Sequence, residues 1–451
     1  LFAACTSGDP SDPGPKDVGG TTTPPGAAPS NGPFFHKDVE PILQRVCQNC
    51  HVAGGIAPFT LVTYDDARTN VAAIALQTKS RTMPPWGAQD TSECKPVRPW
   101  KDDLRLSDQE IATIAAWRDA GTPEGDPKDA PPPRATLTSG LAGATSIAPS
   151  APFTLTTTSD TFRCFVLDPK ITTDTYLNGT YFVPGNKTIV HHALAFSIPA
   201  GATAPGDAYD CFGGPQVTGA SLVAAWAPGG VPSQYPDGVA LPVTAGTKFV
   251  MQVHYHPHAN ATADPDATTF QFRTTSTAPT YIAKTALIGN FTKAVTGGSG
   301  LEPGPDDPPS GPEFRIPANA PAHVETMQFT MPAFGTTIWI LGLGAHMHLA
   351  GKDEKITMKH GSDTSCLLQE PAWNFNWQRG YAYDAAIESL PTIAAGDVLE
   401  MRCTYDNTNG NVALAAARAE SGITQPVDIK LGEQTTDEMC LGAFTFVYKA
   451  P

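Results

Sequence analysis

Apolar side chains follow a helical period in the first part of the chain and a strand period afterwards, and the switch divides the sequence. Val39, Ile42, Leu43 and Val46 recur at i, i+3, i+4 and i+7, the stripe of an amphipathic helix that ends at Cys47. Ser107 and Glu110 form a capping-box pattern ahead of Ile111, Ile114 and Ala115, and Gly121 with Pro123 supplies a stop. Residues 34–127 are therefore predicted to be a short helical domain. Pro, Ala, Thr and Ser then dominate, and 128–149 reads as a linker. Beyond it, β-branched and aromatic runs alternate with Gly, Pro and Asn clusters, which predicts antiparallel β-sandwich. A second composition break at 296–312 is either loop or boundary. The strands after it go with the later histidines, so the expected division is 150–284 and 285–451.

Strand periodicity also sorts polar side chains. In Lys248-Phe-Val-Met-Gln-Val-His-Tyr-His256, a period of two puts Gln252, His254 and His256 on one face and Phe249, Met251, Val253 and Tyr255 on the other. The same period puts His346 and His348 on one side of a strand that follows Trp339. Neighbours on a regular strand point oppositely, so joint use of His191 and His192 needs a bulge or a strand end. Spacing alone does not decide between them.

Composition narrows the setting. The 451 residues carry a formal net charge of -15, so nucleic acid and anionic membrane surfaces are not expected partners. The apolar run from Ile338 to Leu343 falls far short of the roughly 18 residues of a spanning helix and is broken by glycine. Leu1-Phe-Ala-Ala-Cys5 reads as the end of a bacterial lipoprotein signal, with Cys5 as the lipidated residue and 1–33 as anchor and flexible tether. Nine cysteines point to an oxidising compartment, periplasm or cell surface.

Two groups of residues carry chemistry. Cys47-Gln-Asn-Cys50-His51 has the spacing that attaches haem c through two thioethers, with His51 on the iron. Met83, in a proline-stiffened loop, is the expected sixth ligand, with His36 a weaker competitor. Zinc or a redox dithiol is the alternative use of the two thiols, but there is no second thiol pair and no βαβ pattern around them. Downstream, five histidines fall in three tight motifs and are followed by Met439. Imidazoles with one thioether suit copper that cycles between two oxidation states, whereas each motif taken singly also reads as hydrogen-bonded histidines.

The order of these motifs resembles the copper type II ascorbate-dependent monooxygenases, the family of peptidylglycine α-hydroxylating monooxygenase and dopamine β-monooxygenase. The resemblance covers about 150–451 and lies in His191-His192, Gln252-Val-His-Tyr255, His346-Met-His-Leu-Ala-Gly-Lys352 and Asp437-Glu-Met-Cys440. It implies a mainly β fold of two antiparallel jelly-roll β-sandwiches, here preceded by a small all-α cytochrome c domain. It implies two copper ions, one on His191, His192 and His254 for electron transfer and one on His346, His348 and Met439 where oxygen is activated. His256 and His258 match no ligand of the family. The resemblance further implies disulfides Cys164 to Cys211 and Cys403 to Cys440, leaving Cys94 and Cys366 to pair across domains or stay free. Three positions depart from the peptidylglycine enzyme: a substrate-binding arginine falls on Gly344, and an asparagine and a tyrosine fall on Leu441 and Ala443. A less charged small-molecule substrate is therefore expected, with dioxygen as co-substrate. The electrons would come from an ascorbate-like reductant or a redox protein, passed through the fused haem. An electron-transfer or copper-binding lipoprotein without turnover is the rival reading, and a zinc hydrolase a weaker one.

Overall fold

The helical stripe is buried as the pattern requires, with Val39 and Leu43 fully enclosed and Ile42 and Val46 nearly so. In this computed structural model, residues 32–53, 55, 57–133, 140–157, 160–227, 230–256, 264–295 and 299–451 are described. Cys5, most of the tether and His258 lie outside them. Helical residues 35–47 pack with helices Tyr64–Thr69, Val71–Lys79 and Asp108–Asp119 around Phe35, Leu61, Ile74, Ile114 and Trp117. Ser107 and Glu110 close the expected capping box, and Gly121 takes the left-handed conformation (φ 80) that ends the last helix.

Helical character stops at Ser80 and resumes only at Asp108. Prolines 84, 85, 96 and 99 lack the N–H a helix needs, so the intervening chain is extended, an arm laid across the last sandwich. Trp86 and Trp100 join the core of that sandwich, Trp100 stacking on Tyr383 at 4.9 Å and Trp86 meeting Tyr381 edge-on at 5.0 Å. A disulfide joins Cys94 to Cys366 across 272 residues, which settles a pairing that the sequence left open. Gly87 allows the closest approach: a Cβ there would lie 2.1 Å from the Glu370 carboxylate.

The remainder is mainly β. A five-stranded antiparallel sheet, which contains Thr161–Leu167, Val190–Ile198 and Lys248–Tyr255, buries Phe165, Ala193 and Val253 against Leu177, Phe182 and Phe270 of a second sheet. Phe249, Met251, Val253 and Tyr255 enter this core, so the period-of-two reading of that strand holds. A six-stranded sheet, which contains His323–Thr330, Gly351–His360 and Val398–Tyr405, packs likewise against Tyr281–Gly289, Ile338–His346 and Leu441–Lys449. One ten-stranded sheet serves both cores, because Tyr281 and Ile282 pair in parallel with Val239 and Ala240. Strand Tyr281–Gly289 runs straight through the boundary expected at 284/285. The disulfides Cys164–Cys211 and Cys403–Cys440 are both present.

Candidate metal centres

The first centre depends on a local irregularity. Strand Val190–Ile198 slips register against Lys248–Tyr255 between Val190 and His192, and this bulge turns both histidines toward His254, the partner of His192. His192 Nδ1 lies 3.2 Å from His191 Nδ1 and 3.3 Å from His254 Nδ1. Ligand atoms of all three lie within 4.8 Å of one another. Burial holds all three rings below the ordinary histidine range, so they stay neutral and offer lone pairs.

Asp160 lies beside one ring. Its Oδ1 is 3.3 Å from His254 Nε2, on the side of the ring away from the converging Nδ1 atoms. The same oxygen accepts from His256 Nδ1 at 2.6 Å. Burial opposes the charge on Asp160, but these two histidines hold its carboxyl far below the usual range. His256 thus sits behind the centre as a support for Asp160.

The second centre lies at a strand end. Strand Ile338–His346 stops at His346, and His348 is in the turn that follows, not on the strand as its period suggested. His346 Nδ1 donates to Gln378 Oε1 at 2.7 Å and His348 Nδ1 to the Asp437 carbonyl at 3.2 Å, so Nε2 of each remains for a ligand. The two rings are 5.3 Å apart. Burial takes His346 down to about 4 and His348 to about 3.

Met439 is tied to this turn through its backbone. The buried Glu438 carboxylate accepts from the N–H groups of His348, Ala350, Gly351 and Met439, while Tyr405 donates to the Met439 carbonyl. The adjacent Cys440 is bridged to Cys403. His192 and His346 approach to 6.5 Å between ring centroids, so the two groups face each other. Phe375 lies between them, stacked on His191 at 4.4 Å and edge-on to His348 at 6.2 Å.

Cys47, Cys50, His51 and Met83 all line one cavity of about 1250 Å³. Both thiols are free, and burial pushes Cys47 up to about 12. His51 Nδ1 donates to the Phe59 carbonyl at 3.0 Å, which leaves Nε2 for a metal. Two free thiols, a histidine with one committed nitrogen and a thioether around a cavity of this size fit a covalently held haem. His36 is committed elsewhere, to Glu40 at 2.8 Å. The three converging Nδ1 atoms, and the neighbouring rings of His346 and His348 with Nε2 uncommitted, fit copper.

Asp160, Phe375, Gln378 and Glu438 were not singled out by sequence. Glu438 stands inside the Asp437-to-Cys440 motif, but Trp373-Asn-Phe-Asn-Trp-Gln378 has no period and no metal-ligand spacing to mark it.

Residues 312–450 match the family described as copper type II ascorbate-dependent monooxygenase, C-terminal domain. DBH-like monooxygenase protein 2 of the mouse, Mus musculus, is 23% identical over 277 residues, 59% of this chain and 39% of the relative. The chain thus spans about two fifths of that relative's length. Both findings support the copper type II monooxygenase family. Among solved structures, the major capsid protein P2 from bacteriophage PM2 aligns at 7% identity over 68% of this chain and 98% of its own, with a TM-score of 0.30. Allantoicase aligns at 10% over 57% of this chain and 84% of its own, with 0.16. Scores this low carry no fold assignment.

Proposed function

We propose that this chain is a copper-dependent monooxygenase that hydroxylates a C–H bond of a small organic substrate with dioxygen. The carrying observation is that His191, His192 and His254 face His346 and His348, with 6.5 Å between the nearest ring centroids of the two groups. In this reading the first three residues hold one copper ion and His346, His348 and Met439 the other, on two jelly-roll sandwiches. Cys47, Cys50, His51 and Met83 hold haem c in a cytochrome c domain. When bound, the coppers supply oxygen activation and the haem supplies electrons taken from an ascorbate-like reductant or a redox protein.

The chain's own contribution is positioning. Gln378 and the Asp437 carbonyl hold the imidazoles of His346 and His348 in the tautomer that presents Nε2, and Asp160 lies against His254. Glu438 fixes the turn after His346 to the strand of Met439 through four backbone N–H groups. Phe375 puts an apolar ring between the groups, stacked on His191 and edge-on to His348. Paired strand positions bear on substrate choice: Gly344 lies opposite Ala443 and His346 opposite Leu441, so these partners bring no charged side chain beside His346. A Cβ at Gly344 would lie 3.0 Å from the Arg379 carbonyl, so a larger residue there would need the neighbouring chain to move. An uncharged substrate suits such surroundings. The three disulfides fit a periplasmic or cell-surface setting, with Cys5 as the lipid anchor.

The position of Phe375 also favours the rival, a haem and copper electron-transfer protein, since packed aromatic rings suit electron passage and leave less room for a substrate. Metal analysis with a visible spectrum should find haem c and two copper ions per chain. Oxygen uptake by the reduced protein should rise on addition of the right uncharged substrate. Full metal content with no uptake across a broad substrate panel would favour the rival.

A further inference from the structure

One short segment touches all three candidate redox sites. Trp377, Gln378 and Arg379 line the cavity of Cys47, Cys50 and His51. Gln378 Oε1 accepts from His346 Nδ1 at 2.7 Å, and its amide donates to the Phe375 carbonyl at 2.9 Å. The Phe375 ring stacks on His191 at 4.4 Å with the planes 19° apart. Trp373 Nε1 donates to the His348 carbonyl at 3.0 Å. Seven consecutive residues therefore join the cavity wall to both histidine groups.

Resting on the haem and copper reading above, we infer that residues 373–379 are the internal electron bridge of the protein. Gln378 leads from the cavity to His346, and Phe375 leads on to His191. Electrons tunnel better through hydrogen bonds and packed atoms than across gaps, and this segment offers both without a break. It also delivers the first electron directly at the His346 group, in addition to the trio. Each passage takes one electron from ferrous iron, which becomes ferric, and gives it to a cupric ion, which becomes cuprous. No bond forms, and the proton on His346 Nδ1 stays in its hydrogen bond to Gln378. Two passages supply the electrons for one hydroxylation, and an external one-electron donor re-reduces the haem each time.

The test follows a single electron. The full chain, loaded with haem and copper in the oxidised state, receives one electron at the haem by pulse radiolysis. The haem α band and the cupric electron paramagnetic resonance signal are then followed together. Gln378→Leu should slow haem reoxidation by an order of magnitude or more, and Gln378→Glu, which keeps the acceptor toward His346 Nδ1 but not the donor toward the Phe375 carbonyl, should restore the passage to the His346 group. Trp377→Leu, at the cavity wall, should slow it with copper content unchanged. An unchanged rate in either leucine variant that retains full haem and copper overturns the bridge. A wild-type chain that takes up no haem or no copper removes the functional reading itself, before any rate is measured.

Discussion

A buried carboxyl shows how much a single residue decides here. Glu370 is 1% exposed, and burial first of all pushes it up to about 8, with Arg379 pulling the other way. The folded chain therefore keeps a proton there that the unfolded chain releases near its ordinary value. The sign follows: the folded state binds more protons between pH 4.5 and about 8, so stability falls as pH rises through that window. Glu370→Gln should melt like the wild type near pH 5 and gain on the order of a few kcal/mol by pH 8, read from thermal denaturation across that range. The proposed metal ligands give a second expectation. Alanine at His191, His192 or His254 should remove one copper per chain and leave the haem spectrum intact, as metal analysis would show. Copper should also raise the melting temperature of the metal-free chain, by about 2.7 kcal/mol of stability at a hundredfold excess over Kd. The clustering of these histidines was legible because their motifs are short and local. Gln378 and Phe375 were not, since their importance arises only when a loop folds against residues far away in sequence.

At the scale of elements, the strands could be read and the arm could not. Alternation between core and opposite face along Lys248–Tyr255 is a property of that strand alone, and it appears as expected. The bulge at Val190 to His192 was one of two geometries that spacing allowed, and the choice depends on pairing with a strand some sixty residues later. The arm carries Trp86 and Trp100 without any period, and the surface that buries them lies near Tyr381 and Tyr383. No local pattern announces such a partner. Gly87→Ala would push a methyl group into the Glu370 carboxylate and should lift the arm. Removing Cys94 and Cys366 together should cost about 2–5 kcal/mol. In both variants, limited proteolysis should cut within 84–103 well before it touches the sandwiches, whereas the wild-type arm resists.

The whole molecule is held as one piece by its longest sheet. Because strand Tyr281–Gly289 pairs with Leu441–Lys449 along its length and touches Val239 and Ala240, a chain ended at 284 would leave a half strand and an unpaired edge. Such a fragment should aggregate on expression, which light scattering would detect. The composition break at 296–312 read as either loop or boundary, with the division placed at 284/285, and the strand that spans that division pairs along its length with Leu441–Lys449. The arm adds a second tie, and its sulfur bridge has a practical outcome at the bench. Ascorbate feeds electrons one at a time and leaves cystine alone, while dithiothreitol attacks it. If the chain is the proposed monooxygenase, turnover driven by a dithiol should therefore start normally and then decay as the N-terminal module works loose from its dock, a failure easily mistaken for poisoning of the metals.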